Sequence, residues 1–166
     1  MQDPRIGTMP NMTIEENLNL SFMRGKRRGL KVYNSNARRE LYKSKLSLLN
    51  MQLENKLDHL VGNLSGGQRQ ALSLIMAIIA DYKVLLLDEI TAALDPKSAD
   101  HVMQIAARLV REEQRTALMI THNMQYALTY GDRTILMQRG RVMQAFDNAA
   151  KNTLDATSLA MAIAAA

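Results

Sequence analysis

Apolar residues recur along this chain with two different periods. Through the first half they fall three or four positions apart, and through the second they come in short unbroken runs. Thr13-Ile14-Glu15-Glu16 has capping-box spacing, and Ile14, Leu18 and Phe22 follow on one helical face. The spacing predicts a helix from there to about Met23. Tyr42, Leu46 and Leu49 predict a second amphipathic helix over Ala37 to Asn50, with Gly25 to Lys31 as a basic loop between the two. Met1 to Met12 reads as irregular, because Pro4, Gly7 and Pro10 break any helix. Gln52 to Asn63 is less regular and leads into Leu64-Ser65-Gly66-Gly67-Gln68, behind which an apolar run continues to Ala80.

After Ala80 the pattern changes. Val84-Leu85-Leu86-Leu87 and Ala117-Leu118-Met119-Ile120 are continuous apolar runs, read as strands buried on both faces. Between them Asp95-Pro96 opens a helix whose buried stripe is Val102, Ile105, Ala106 and Leu109. A short helix is expected from about Met124 to Tyr130. Thr134 to Met137, Gln138 to Arg141 and Val142 to Ala145 read as strand, turn, strand, and the Ala-rich tail from Asn148 as helical. Helices first and alternating strand and helix afterwards imply an α/β protein. The expected architecture is a helical subdomain followed by a mostly parallel sheet with flanking helices. The expected division is residues 1–80 and 81–166.

Composition narrows the function classes. The chain has 166 residues, enough to bury a core, and no cysteine, which excludes a disulfide scaffold and a thiolate metal site. The longest apolar runs, Ala71 to Ala80 and Leu159 to Ala166, are too short to span a bilayer. Net charge is +5, much of it between Arg24 and Lys45, but no aromatic residues interleave there as a base-stacking surface needs. Nucleic acid is therefore not an expected partner.

Three places can carry chemistry. Ser65 is a good N-cap, and Gly66 and Gly67 leave the helix mouth open, where free amides and the helix dipole suit a phosphate. Asp88 and Glu89 follow an apolar strand, where α/β proteins bind ligands. One acid can hold Mg²⁺ while the other positions or deprotonates a water. His122 follows the second run and can donate to a phosphate oxygen.

Leu64-Ser65-Gly66-Gly67-Gln68 is the signature motif of the ATP-binding-cassette (ABC) ATPases, and the chain resembles that family over nearly all its length. In order, Val84 to Asp88 resembles the Walker B motif, and Glu89 matches the catalytic glutamate. Ala93-Leu94-Asp95 resembles the D-loop, with Ala92 where a serine is common, and His122 matches the switch histidine. Gln2-Asp3-Pro4 resembles the Q-loop. The resemblance implies the C-terminal part of a P-loop NTPase-type, RecA-like core. Glu89 and His122 would be catalytic, and Gln2, Leu64, Ser65, Gly66, Gly67, Gln68, Asp88 and Asp95 would contact nucleotide. Asp88 and Gln2 would serve Mg²⁺ directly or through water. It also implies ATP and Mg²⁺, a second ABC ATPase subunit arranged head to tail, and a transmembrane permease. Together these imply a cytoplasmic position, peripheral at the inner face of the membrane.

One departure is large. Gly-x-x-x-x-Gly-Lys-[Ser/Thr] is absent: the only Gly-Lys, Gly25-Lys26, is followed by Arg27, with Leu20 where the first glycine belongs. Without those amides and that lysine, most of the hold on a triphosphate is gone. The chain by itself is expected neither to bind ATP tightly nor to hydrolyse it. A core lacking that part is expected to leave apolar faces uncovered and to be prone to self-association.

Overall fold

A computed structural model describes residues 7–26 and 35–164. Gln2 and the centre of the basic cluster lie outside the described residues. The chain forms two compact units: Met1–Leu85 with Ile90–Leu118, and Leu86–Glu89 with Met119–Ala166.

The first unit is mainly helical. Helix α1, Ile14–Phe22, starts with the expected capping box: the Thr13 hydroxyl accepts from Glu16 N–H and the Glu16 carboxylate accepts from Thr13 N–H. Helix α2, Asn36–Ser47, is capped by Ser35 and is shorter than the periodicity suggested. Its apolar run does not stop there. Leu49 and Leu53 are carried into the core by a turn and a short 3-10 turn, Leu53–Asn55. Helix α3 covers Gly66–Ile79 and α4 covers Pro96–Glu112, each with the expected N-cap, Ser65 and Asp95. Ile14, Leu18, Tyr42, Leu46, Leu53, Val61, Leu72 and Ile75 are fully buried, and the predicted α4 stripe is buried as well. Burial pushes the Tyr42 phenol up to about 12, and its hydroxyl still donates to Asn19 Oδ1 at 2.8 Å.

A polar strap holds the approach to α3. Asn17 is fully buried, yet its side chain is satisfied by the backbone. Oδ1 accepts from Met9 N–H at 2.7 Å, while Nδ2 donates to the carbonyls of Met9 and Thr13 at 3.0 and 2.9 Å. The segment so fixed is bonded to the residues just before the signature. Val61 N–H donates to Met12 O at 3.0 Å and Gly62 N–H to Pro10 O at 2.8 Å. The irregular stretch read from Gln52 to Asn63 is thus ordered by α1 and its leader, with a second 3-10 turn at Val61–Asn63.

Strands β1, Val84–Asp88, and β2, Thr116–Ile120, form one two-stranded sheet and are joined through α4, the long crossover that a parallel pair requires. Here the structure corrects the sequence reading. Leu85 and Leu87 are buried, but Leu86 is 70% exposed, and Leu118 and Ile120 are exposed too. Continuous apolar runs implied cover on both faces; among the described residues only one face of β1 has it, and β2 is largely open.

In the second unit a helix α5, Met124–Thr129, precedes the hairpin of β3, Thr134–Gln138, and β4, Arg141–Phe146. These strands are antiparallel and pair Thr134 with Phe146 and Gln138 with Arg141, with one irregularity after Leu136. Arg139 and Gly140 both take positive φ, +48° and +75°, so the two-residue turn is of the primed kind that matches strand twist. The tail is helical, as expected, but in two pieces: α6, Asn148–Lys151, and α7, Ala156–Ala164. Helix α7 packs on α5, and Leu159 and Tyr126 are buried. Ile135, Met137, Val142 and Met143 are exposed.

Candidate functional site

In the first unit the signature residues form the N-terminus of α3. The Ser65 hydroxyl accepts from Gln68 N–H, and Gln68 Oε1 accepts from Ser65 N–H, both at 3.2 Å. This reciprocal cap fixes the first turn and gives Gln68 a structural task, with the same spacing of cap and partner as Thr13 and Glu16. Leu64 is buried behind it and anchors the approach.

Ser65, Gly66, Gly67 and Gln68 line an open cleft of about 490 Å³ together with Ala93, Leu94 and Asp95. Two helix N-termini therefore face one space, those of α3 and α4. Asp95 accepts from Ser98 N–H at 3.1 Å and caps α4. Hydrogen bonds from Ser98 hold its carboxyl below the usual aspartate range. The partial positive charge of two helix ends suits an anion. Gly67 has a further reason to be glycine: a Cβ there would come within 2.8 Å of Leu94 Cδ2. Sequence spacing missed Gln70. Its Oε1 accepts from Ala93 N–H at 3.0 Å, and no local pattern announces a bond across 23 residues.

In the second unit the carboxylates stand at the end of β1. Asp88 is its last residue and Glu89 the first beyond it. Glu89 has φ +47° and donates its N–H to Ile120 O at 3.0 Å. Glu89 Oε1 lies 3.0 Å from His122 Nδ1, with the two side chains 36% and 76% exposed. The structure thus brings together two residues that are 33 positions apart in sequence.

The turn after His122 is tightly held. Thr121 Oγ1 accepts from Asn123 N–H at 3.0 Å, and Asn123 caps α5 by accepting from Tyr126 N–H at 3.1 Å. Thr134 Oγ1 donates to Ala127 O at 2.7 Å. At the far end of α5 the buried Lys151 ammonium donates to the carbonyls of Tyr130 and Gly131. A cation at a helix C-terminus is the favourable sign for the dipole.

No cluster of three metal-ligating side chains occurs among the described residues. The carboxylate of Asp88 is a hard oxygen donor of the kind Mg²⁺ takes, one or two at a time, beside phosphate oxygens and water.

Comparison with known proteins places the chain in a family. A family model described as ABC transporter matches residues 1–92. A tyrosine transport ATP-binding protein of Clostridioides difficile is 48% identical over 86% of this chain and 56% of its own length. The carnitine transport ATP-binding protein OpuCA of Listeria monocytogenes is 32% identical, over 84% of this chain and 34% of its own. Among solved structures, the ATP-binding cassette MJ0796, a dimer in a post-hydrolysis state with ADP and phosphate, superposes with a TM-score of 0.72 at 28% identity. That match covers 85% of this chain and 59% of the other. The chain spans about half the length of the first of these relatives and a third of the second. Its fold is that of the ABC cassette, a P-loop NTPase α/β fold, and the chain belongs to the ABC transporter family.

Proposed function

We propose that this chain is the signature-bearing part of the ATP-hydrolysing subunit of an ABC transporter. The observation that carries the reading is the Glu89–His122 contact at the ends of β1 and β2. A carboxylate beside an imidazole at a strand end can orient and deprotonate a water, and an imidazolium, with a proton on both ring nitrogens, can hold Glu89 through Nδ1–H while Nε2–H donates to a terminal phosphate oxygen. Asp88 would hold Mg²⁺, directly or through water, and Gln2 would assist. The ion would neutralise developing phosphate charge. Asp95 belongs to the nucleotide contacts by the same reading.

Leu64, Ser65, Gly66, Gly67 and Gln68 would meet the phosphate held by a second subunit. The dimeric MJ0796 cassette, found with ADP and phosphate, supports such a pairing. ATP would close the pair and hydrolysis would open it. The functional division we adopt is residues 1–80 for the Q-loop, helical part and signature helix, and 81–166 for the Walker B, D-loop and switch-histidine part. The chain itself holds no Gly-x-x-x-x-Gly-Lys-[Ser/Thr] run, so the phosphate grip would come from polypeptide outside these residues. The exposed apolar strand positions are consistent with a surface that such polypeptide covers.

Relatives named for tyrosine, carnitine and methionine transport support a role in moving a small organic solute through a permease partner. No described helix is long and apolar enough to cross a membrane. A position on the cytoplasmic side, held by that permease, follows from the proposal. The test is Glu89→Gln in the cassette completed with its phosphate loop. ATP binding should persist while turnover falls by about 10²- to 10⁴-fold. An undiminished turnover rate removes Glu89 from this role.

A further inference from the structure

We propose that Gln70 is a positioning residue that fastens the Ala93–Asp95 segment to the signature helix, so that the N-termini of α3 and α4 move as one body. Two independent contacts carry this. Gln70 Oε1 accepts from Ala93 N–H at 3.0 Å. One turn earlier on α3, Leu94 packs so closely over Gly67 that a Cβ at 67 would meet Leu94 Cδ2 at 2.8 Å. The first contact fixes the height of the segment along α3, and the second fixes its distance from the helix axis. Residue 95 then caps α4 through Ser98, so the fastening is passed to α4 with no glycine or proline in Ala93-Leu94-Asp95 to act as a hinge.

The amide of Ala93 lies in a short connection between a strand and a helix, where no ladder or helical partner is at hand. A loop N–H with no built-in acceptor would drift among water-bonded arrangements. The Gln70 side chain supplies that acceptor from an element that is rigid because its other face is core: Leu72, Leu74 and Ile75 are buried. If the signature meets a phosphate as proposed above, on which the functional value of this device rests, a displacement at Ser65 is transmitted to Asp95 without slack. Segment 93–95 is then part of the anion-facing wall rather than an independent loop.

The test reads the amides directly and needs no nucleotide. Hydrogen exchange is followed residue by residue in the 166-residue chain and in three variants. Gln70→Leu keeps the side-chain size and removes the acceptor; exchange at Ala93 should accelerate by about 10-fold or more. Gln70→Glu keeps an acceptor oxygen at the same reach and should restore exchange at Ala93 to within about 3-fold of the parent. Gly67→Ala leaves Gln70 in place but displaces Leu94, and should accelerate exchange at both Ala93 and Leu94. In all three, Leu74 and Ile75 should retain parental protection, which reports that α3 is intact. Equal exchange at Ala93 in parent and Gln70→Leu overturns the proposal. So does equal acceleration in Gln70→Leu and Gln70→Glu, because then helix perturbation and not the acceptor is responsible. The expected exchange pattern together with undiminished turnover of Glu89→Gln in the completed cassette overturns the functional reading alone.

Discussion

The helical unit and the strand-rich unit are built from similarly apolar sequence, yet they finish folding to different degrees. In the first, periodic apolar positions meet one another: Ile14, Leu18, Tyr42, Leu46, Leu72 and Ile75 are wholly removed from water. In the second, burial is confined to a few residues such as Leu87, Leu136, Phe146 and Leu159, while Leu86, Met137 and Val142 face solvent. A helix completes its backbone hydrogen bonds within itself and needs only one covered stripe. A strand from a doubly covered sheet needs a layer on each side, and its sequence shows both demands at once. The difference separates a region whose stability is internal from one whose surface is shaped for something else.

That contrast can be broken most directly in the helical core. Leu18→Ala should destabilise the chain by about 2–5 kcal/mol, because a fully buried leucine is replaced by a cavity. Urea denaturation followed by circular dichroism measures it, and a loss below about 1 kcal/mol would mean that the helical unit is no better packed than the strands. Asn17→Leu comes next. It removes an acceptor from Met9 N–H and a donor from the Met9 and Thr13 carbonyls, at about 1–3 kcal/mol for buried groups left without partners. The same measurement shows it, and proteolysis within residues 7–13 should speed up.

A third expectation concerns acid. Arg39 bonds both the buried Glu15 and the exposed Asp58. Its guanidinium holds the Asp58 carboxyl below the ordinary value of 3.8. A carboxyl with a depressed native pKa adds stability above its unfolded pKa and loses it as pH falls through the native one. Unfolding midpoints taken from pH 6 down to pH 2 should therefore fall more steeply in the parent than in Arg39→Met over the lower part of that range. The smallest effect belongs to the open sheet. Leu86→Ser and Met137→Ser should each change stability by no more than about 0.5 kcal/mol while reducing self-association in sedimentation. A loss of several kcal/mol from either would show those side chains to be core.

Local signals carried much of this fold. The Thr13–Glu16 box, the Ser65 and Asp95 caps and the α4 stripe are all short-range grammar, and each stands where the sequence put it. The apolar runs at β1 and β2 revealed strands but not their cover, since cover is a property of neighbours and not of the run itself. The end of α2 was misread for a related reason: Leu49 continues the apolar spacing, yet a turn rather than a helix delivers it. In the candidate site, Ser65, Asp88, Glu89 and His122 were legible because the family motif names them. Gln70 and Lys151 were not. Their partners, Ala93 and the carbonyls of Tyr130 and Gly131, are about 20 residues away, and a glutamine or a lysine in a helix is otherwise unremarkable.

The backbone at Glu89 adds one more consequence. A left-handed φ at a residue with a side chain costs about 1–3 kcal/mol, and glycine would adopt it freely. Folding alone would therefore favour the loss of that side chain. Position 89 is a point where thermodynamic ease and the chemistry proposed for its carboxylate pull in opposite directions, and selection for heat resistance alone would favour glycine there.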